Sequence, residues 1–308
     1  MTQHNDHIEE AKPAKKLKRK HKIGIGVAII IVLAAIAGCL AWLYTGQLSP
    51  AKEKVFRAVP LPIALIETHH ITSKDLYNRL DLAKKVLEST GQSTNNLETL
   101  LLDQLIKTEK MNRIAAKQNV TVTDEEVDKS YQAIIKRFPD ASEEEFEKTL
   151  ASSYGLDLNT FKNEVVRQSV LQENLRLWFA KQENLNSEQY NKARDLVRQL
   201  DEGTSFEEVA RKYSEDNASK PFAGDSGFIK YSDMLPEFQQ AVKDLSIGDT
   251  KIVASRAGIH VLKINAIEGD SSNQDGRNYN LLQIYIEPAD FEAWLDTKTQ
   301  EIKAVKLL

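Results

Sequence analysis

A stretch of 22 residues without a charged side chain, Ile23 to Tyr44, constrains this sequence more than any other feature. As an α-helix rising about 1.5 Å per residue, it would be about 30 Å long, which is the thickness of the hydrocarbon core of a bilayer. All seven lysines and arginines of residues 1–46 precede it, and the first charge after it is Lys52. Because basic flanks stay in the cytoplasm, the pattern predicts a single-pass helix with residues 1–22 inside and the C-terminal body outside.

Two other interpretations of residues 23–44 compete with a permanent transmembrane anchor. A cleavable signal peptide would need a shorter apolar core and a small-residue cleavage site, which the bulky run through Trp42 does not provide. Residues 36–39 are similar to a bacterial lipobox, in which Cys39 would be lipidated and become the new N-terminus. The helix and the lipid would both leave the body tethered to the outer face of the cytoplasmic (inner) membrane.

The composition of the chain excludes several classes of protein. With 308 residues, 41% of them hydrophobic and 28% charged, the chain is too polar for a multi-pass membrane protein. Residues 1–46 are basic whereas the whole chain has a net charge of −4, so the body is acidic and we expect no nucleic-acid partner. The single cysteine allows no intrachain disulfide and no cysteine-based zinc site, and we expect neither a metal nor a cofactor.

The first part of the body has the pattern of a helical module. Residues 45–60 are polar and interrupted by prolines, which predicts a linker, and a short apolar strand follows at residues 63–66. Apolar residues then recur at helical spacing. Thr123 and Ser142 are each followed three residues later by glutamate, which predicts two capping boxes at helix starts. These features indicate a helical module over residues 61–186.

The pattern changes after residue 186. Two amphipathic helical stretches are followed by glycine-containing turns, a third helix that starts near Met234, and two strands joined by a turn at residues 256–258. This order of elements predicts a small α+β domain over residues 187–270. The predicted fold class is therefore α+β, with an N-terminal transmembrane helix, an all-helical module and a small α+β domain.

Short sequence motifs in both parts of the body resemble those of known protein families. An apolar strand followed by ITSKDL and TVTDEEVD is similar to the N-terminal chaperone module of SurA- and PrsA-type foldases. GTSFEEVARKYSEDNASKPFAGDSGF, MLPEFQQAV, LSIGD and AGIHVLKI, in that order, resemble the parvulin (PpiC-type) peptidyl-prolyl isomerases. The resemblance implies an extracytoplasmic rotamase and holdase chaperone, whose partners are unfolded exported chains with X-Pro bonds.

The parvulin resemblance implies roles for individual residues. It places Met234 and Phe238 in a pocket for the proline ring, His260 in the catalytic network, and Asp216 facing the substrate carbonyl. By their spacing alone, Met234 and Phe238 could equally be packing residues of a helix. Isomerisation of an X-Pro bond breaks no covalent bond, so an apolar pocket and a preorganised polar network around the amide can supply the catalysis.

The segment departs from the parvulin pattern at three points. Ser226 stands where the family has an apolar pocket residue, and Ala257 stands where it has a hydroxyl, although Ser255 is close enough in sequence to contribute one to substrate binding. No strand with the family's first histidine precedes residue 187. These departures keep an alternative function open, in which a catalytically inactive parvulin fold serves as a chaperone or adaptor that only binds unfolded chains.

Residues 277–308 contain a candidate for the missing strand. The stretch Leu282 to Tyr285 resembles the family's first strand word, with Gln283 in place of the histidine. As a hypothesis, this strand closes the sheet beside His260 in a circular permutation, and Gln283 joins the catalytic residues. In the alternative arrangement, the strand and the helix after it pack back onto the helical module.

Overall fold

The computed structural model describes residues 33–89, 91, 93–138, 142–269 and 274–308. Residues 33–44 form a helix, α1, whereas residues 23–32 of the predicted anchor and the basic tail before them lie outside the described residues. Within the described ranges, no helix is long and apolar enough to cross a membrane.

The first part of the body is mainly helical, but it is not all-helical as predicted, because it also contains strands. A hairpin of β1 (Pro62–Ile66) and β2 (His69–Thr72) precedes most of the helices. Two π-helical turns, Leu150–Tyr154 and Lys162–Val166, extend the helices around them. The α-helices are α2 (Pro50–Ala58), α3 (Ser73–Ser89), α4 (Leu97–Lys117), α5 (Asp124–Ile135), α6 (Glu143–Thr149), α7 (Leu158–Phe161) and α8 (Arg167–Lys181).

Residues 45–60, predicted to be a linker, are instead part of the folded core. Helix α2 begins at Pro50, and its Phe56 is fully buried. Lys52 is also buried and donates hydrogen bonds to the carbonyls of Thr45 and Gln47. The prediction was wrong because proline, which breaks a helix interior, is favoured in the first helical turn, where its missing N–H has no partner to lose.

Both predicted capping boxes are present. The Thr123 side chain accepts from the backbone N–H of Glu126, and the Glu126 carboxylate accepts from the backbone N–H of Thr123 at 2.8 Å. Ser142 and Glu145 make the same pair of bonds at the start of α6. The two boxes satisfy backbone donors that would otherwise be free at a helix start.

The second part of the body is a four-stranded antiparallel sheet with helices, in the strand order β3–β6–β5–β4. Short 3₁₀ turns at Lys220–Phe222, Tyr231–Asp233 and Gln274–Gly276 connect its elements. The elements are α9 (Ser187–Asp201), α10 (Phe206–Tyr213), β3 (Asp225–Lys230), α11 (Pro236–Lys243), β4 (Thr250–Ala254), β5 (Ile259–Gly269) and β6 (Arg277–Ile286).

The C-terminal segment is shared between the two parts of the body. Strand β6 lies between β3 and β5, and its Gln283 is paired with Leu262, two residues from His260. The chain then returns to the helical module as α12 (Phe291–Glu301) and β7 (Ala304–Lys306), which pairs with β1. The two arrangements considered for this segment therefore occur together, one for the strand and the other for the helix.

The hydrophobic cores follow this division. The largest core cluster combines residues from α2, β1, α3, α4 and α8 with Phe291, Leu295 and Ile302 from the C-terminal end. A second cluster joins α9 and α10 to the sheet through Leu196, Val209 and residues of β5 and β6. The α+β domain is thus inserted in the chain between α8 and α12, and both of its ends emerge from the helical module.

Candidate active site

A cleft of about 610 Å³ opens on the α+β domain, between the loop after α10, the start of α11, the β4–β5 loop and β6. Its apolar lining includes Leu235, Phe238 and Tyr285. Its polar lining includes Asp216, His260 and Gln283, which come from three different elements. The sheet register brings the last two together, because β5 and β6 are hydrogen-bonded neighbours.

His260 lies at the base of the cleft and is 4% exposed. Its ring is in edge contact with the Phe238 ring, with centroids 4.9 Å apart, and lies 5.3 Å from the Tyr285 ring. Burial lowers the pKa of His260 to about 4, against the opposing effects of the Gln283 side chain and the Asp216 charge. The imidazole is therefore neutral at physiological pH, since removing its cation from water is unfavourable.

The buried hydroxyl of Ser255 determines which ring nitrogen of His260 carries the proton. Ser255 Oγ lies 2.9 Å from His260 Nε2, and it accepts from the backbone N–H groups of Ala257 and Gly258. A hydroxyl has one proton to donate, so the accepted bonds direct that proton to Nε2. The neutral ring then carries its proton on Nδ1, which makes no well-formed hydrogen bond within the described residues.

Asp216, in the loop after α10, is an ionised carboxylate that lines the same cleft. It accepts hydrogen bonds from Ala218 N at 3.0 Å, from Ser219 N at 3.2 Å and from the Ser219 hydroxyl. Partial burial alone would raise the pKa of Asp216, but these bonds and the nearby His260 hold it below its ordinary value. The loop after α10 therefore preorganises a negative charge at the cleft.

Gln283 is bonded to Asp216 and lies close enough to His260 to affect its pKa. Its Nε2 donates to Asp216 Oδ2 at 3.1 Å. Because an ionised carboxylate only accepts, the amide nitrogen of Gln283 must face it, which leaves Oε1 as the acceptor available to the His260 side. This orientation agrees with the effect of Gln283 on the pKa of His260, which it raises.

The structure places the other predicted site residues at different depths. Phe238 lines the cleft, whereas Met234 is 6% exposed, packs with Tyr231 and Tyr279, and is absent from the cleft lining. Helical i,i+4 spacing does not apply to Met234, because its backbone is extended and α11 begins two residues later. Ser226, in β3, and the fully buried Ser255 are also outside the cleft lining, and so their proposed roles in substrate binding remain predictions.

Leu235 and Tyr285 are two of the lining residues that the sequence analysis did not assign to the site. Leu235 takes the wall position expected for its neighbour Met234. The Tyr285 hydroxyl donates to the Ala257 carbonyl at 2.9 Å, and its ring packs so closely on Gly258 that a Cβ there would lie 2.4 Å from Tyr285 Cε2. The alternation of side chains along a strand could have identified Tyr285, since it shares a sheet face with Gln283 two residues before it.

Family comparisons agree with this arrangement. A SurA-like N-terminal domain matches residues 16–176, just over half of the chain. The chain belongs to this SurA-like family. A PPIC-type PPIase domain matches residues 161–267, which confirms the resemblance to parvulin-type foldases. The matched range of the PPIase domain ends before β6, so the strand that carries Gln283 lies outside it.

Members of two foldase groups are similar to the SurA-like chain. Foldase protein PrsA 2 of Bacillus cereus is 32% identical over 46% of this chain and 53% of its own length. Foldase protein PrsA of Caldanaerobacter subterraneus is 24% identical over 80% and 83% of the two chains. Chaperone SurA of Chromohalobacter salexigens is 31% identical over 36% of this chain and 26% of its own. The chain thus spans about half the length of the first of these relatives.

Proposed function

We propose that the chain is an extracytoplasmic foldase that combines peptidyl-prolyl cis/trans isomerase activity with chaperone activity toward unfolded exported chains. The PPIC-type domain and the PrsA and SurA relatives support both activities. The observation that carries the isomerase proposal is the cleft itself. It brings an apolar wall at Phe238 against a connected polar set of Asp216, Gln283, His260 and Ser255.

The cleft has the groups that twisting of an X-Pro amide requires. The planar amide is stabilised by resonance, which places negative charge on its carbonyl oxygen and opposes rotation by about 20 kcal/mol. Twisting removes that resonance and returns charge to the nitrogen. A fixed carboxylate near the carbonyl oxygen, supplied by Asp216, disfavours the planar form relative to the twisted one.

The apolar wall and the neutral histidine complete this mechanism. Phe238 and Leu235 form a surface for the proline ring, which would hold the prolyl side while the preceding residue rotates. His260 keeps the base of the cleft uncharged, and its Ser255 bond prevents the ring from rotating. No proton needs to move during the reaction, because no covalent bond is broken.

The same proposal includes a membrane location. We propose that residues 23–44 anchor the chain in the cytoplasmic membrane with the N-terminus inside, and that the body meets clients outside. The apolar, charge-free sequence and the helix at residues 33–44 support this arrangement. Lipidation at Cys39 is the alternative anchor, and mass spectrometry of the purified chain distinguishes them, since lipidation removes residues 1–38.

An isomerisation assay on the full chain tests the enzyme proposal. We expect catalysis of a prolyl peptide above the uncatalysed rate, and a loss of about tenfold or more in Asp216→Ala, because a preorganised charge is removed. Asp195→Ala, an exposed aspartate of α9, is the matched control and should retain activity. A wild-type rate equal to the uncatalysed rate would refute the isomerase proposal.

The glutamine at position 283, where the parvulin family has a histidine, is the observation that favours the second candidate, a chaperone without catalysis. In that case Gln283→Leu would change neither isomerisation nor the suppression of client aggregation. If the glutamine is part of a working site, Gln283→Leu should instead lower the isomerisation rate severalfold, because Asp216 loses a donor and His260 loses its nearby acceptor. Aggregation assays on the same variant report chaperone activity separately.

A further inference from the structure

The loop between β4 and β5 holds the cleft and also touches the helical module. It has four residues, 255–258, and is closed by the bond from Ser255 N to the Gly258 carbonyl at 2.7 Å. Ser255 binds His260, and Ala257 lines the cleft and accepts from Tyr285. The residue between them, Arg256, points away to other partners.

Arg256 joins the two parts of the body through two carboxylates. Its Nη1 donates to Glu173 Oε2 at 2.7 Å, and Glu173 belongs to α8 of the helical module. Its Nη2 and Nε lie 3.3 and 3.4 Å from Glu237 Oε1, and Glu237 belongs to α11, next to Phe238. One guanidinium thus connects the helical module to two walls of the cleft.

The surroundings of Arg256 show how strongly this junction depends on it. The Glu237 side chain is only 7% exposed, and its Oε2 is buried without a hydrogen-bond partner among the described residues. A buried carboxylate needs a compensating charge, and Arg256 supplies it. Burial raises the pKa of Glu126 in α5, but its bonds to Thr123 and Asn174 and, to a smaller extent, the Arg256 charge hold that pKa below its ordinary value.

An open pocket lies beside this junction. A cavity of about 480 Å³ lies between α8, the start of α12 and the β4–β5 loop, and it is lined by Arg256 and Ala257 from the loop and by Phe179 and Phe291 from the helical module. The Arg256–Glu173 ion pair is therefore one physical connection between α8 and the cleft loop, beside the direct contact of α8 with β4.

We propose that Arg256 is a positioning residue through which the helical module sets the geometry of the isomerase cleft. This inference rests on the proposed isomerase function. The Glu173 pair holds the guanidinium, the guanidinium holds Glu237 and the loop, and these in turn hold Phe238 and the Ser255–His260 pair. A client that disturbs α8 would therefore alter the cleft without touching it.

A double-mutant cycle on the full chain tests this connection. Glu173→Gln breaks the pair from the helical side. Glu173 itself does not line the cleft, so an effect on activity must pass through Arg256. We expect it to lower kcat/KM for a prolyl peptide by about two- to fivefold, the range of a partly exposed ion pair. Arg256→Met should lower it further, and adding Glu173→Gln to Arg256→Met should change nothing more.

A spectroscopic measurement separates this role from simple stabilisation. In protein with ¹⁵N-labelled histidine, the ring signals of His260 are assigned by their loss in His260→Asn. Glu173→Gln should shift them, although Glu173 lies in the other part of the body. Glu292→Gln, which breaks the Arg176 ion pair one turn further along α8, is the matched control and should leave them in place.

The outcomes decide between the two proposals. Unchanged His260 signals and activity in Glu173→Gln would overturn the positioning role, and so would independent effects of the two substitutions or an equal shift in Glu292→Gln. If the wild-type chain catalyses no isomerisation, the proposed function fails, but the His260 signals still show whether α8 is connected to the cleft.

Discussion

Residues 277–308 contribute one strand to each of the two β-sheets described, but the two strands differ in length and burial. Strand β6 has ten residues and pairs on both sides, with β3 and β5, and its Ile284 is fully buried. Strand β7 has three residues and, among the residues that the structure describes, pairs only with β1 at the edge of its sheet; its Val305 is 55% exposed.

This difference separates sequence position from structural importance. The C-terminal end is often the most dispensable part of a domain, but here one of its strands is the centre of the sheet that carries the cleft. The other strand covers an edge and buries little. We therefore expect the α+β domain to depend on β6 much more than the three-stranded sheet depends on β7.

The largest expected effect is at the centre of the four-stranded sheet. Ile284→Ala should lower the free energy of unfolding by about 2–5 kcal/mol, because it leaves a cavity in the core shared by α9, α10, β5 and β6. Urea unfolding followed by far-ultraviolet circular dichroism measures this loss.

Ile247→Ala provides the matched control for that substitution. It makes the same change in the same domain at a side chain that is 61% exposed, and we expect a change within about 0.5 kcal/mol. Equal losses in the two variants would show that burial in β6 does not determine the stability of this sheet.

The next effect concerns the histidines of the two sheets. Burial lowers the pKa of His260, in β5, to about 4, so the unfolded chain binds more protons than the folded chain between that pH and about 6.5. The contribution of the neutral His260 to the free energy of unfolding is fully present above about pH 6.5. It is lost as the pH falls toward 4, by up to about 3 kcal/mol.

Removing the histidine should remove this part of the pH dependence. In His260→Asn, the difference in unfolding free energy between pH 7 and pH 4.5 should shrink by up to about 3 kcal/mol relative to the wild type. His70→Asn, at an exposed position of β2 in the other sheet, should keep the wild-type profile. An unchanged profile in His260→Asn would mean that the folded chain protonates His260 without cost.

Local features of the fold could be predicted from the sequence. The capping boxes at Thr123 and Ser142 depend on residues three apart, so the sequence contains both partners side by side. Phe238 and His260 could be assigned through the parvulin resemblance, and the structure brings both into the cleft. The strand containing Gln283 could be proposed as a neighbour of His260 because its sequence motif resembles that of the first parvulin strand, although its position in the chain differs.

Features that depend on the path of the chain could not be predicted. The burial of α2 requires contacts with strands and helices that follow it, and Pro50 and Pro60 suggested a linker instead. Met234 lies outside the cleft lining because a 3₁₀ turn and an extended residue precede α11, and residue spacing alone does not show this. The Arg256 connection joins residues 83 positions apart, and nothing in the sequence near Arg256 indicates Glu173.

A smaller effect is expected from a local contact in the helical module. Thr123→Ala removes the side-chain acceptor of the first capping box and should lower the free energy of unfolding by about 1 kcal/mol. Tryptophan fluorescence during urea unfolding measures it, since Trp178 and Trp294 both lie in this part of the body. Thr123→Ser, which keeps the hydroxyl, should be close to the wild type; a loss as large as that of Thr123→Ala would show that the methyl group, not the cap, matters.

The smallest effect should be at β7, the other strand of the comparison. Val305→Ala removes two methyl groups from a side chain that is 55% exposed, so little apolar surface returns to water, and we expect a change within about 0.5 kcal/mol. The backbone hydrogen bonds between β7 and β1 are unaffected, because alanine has the same backbone N–H and carbonyl groups as valine. Tryptophan fluorescence in urea measures this variant beside Ile284→Ala. A loss at Val305 comparable to that at Ile284 would contradict the ranking, since the edge strand would then support its sheet as strongly as the central strand supports the sheet that carries the cleft.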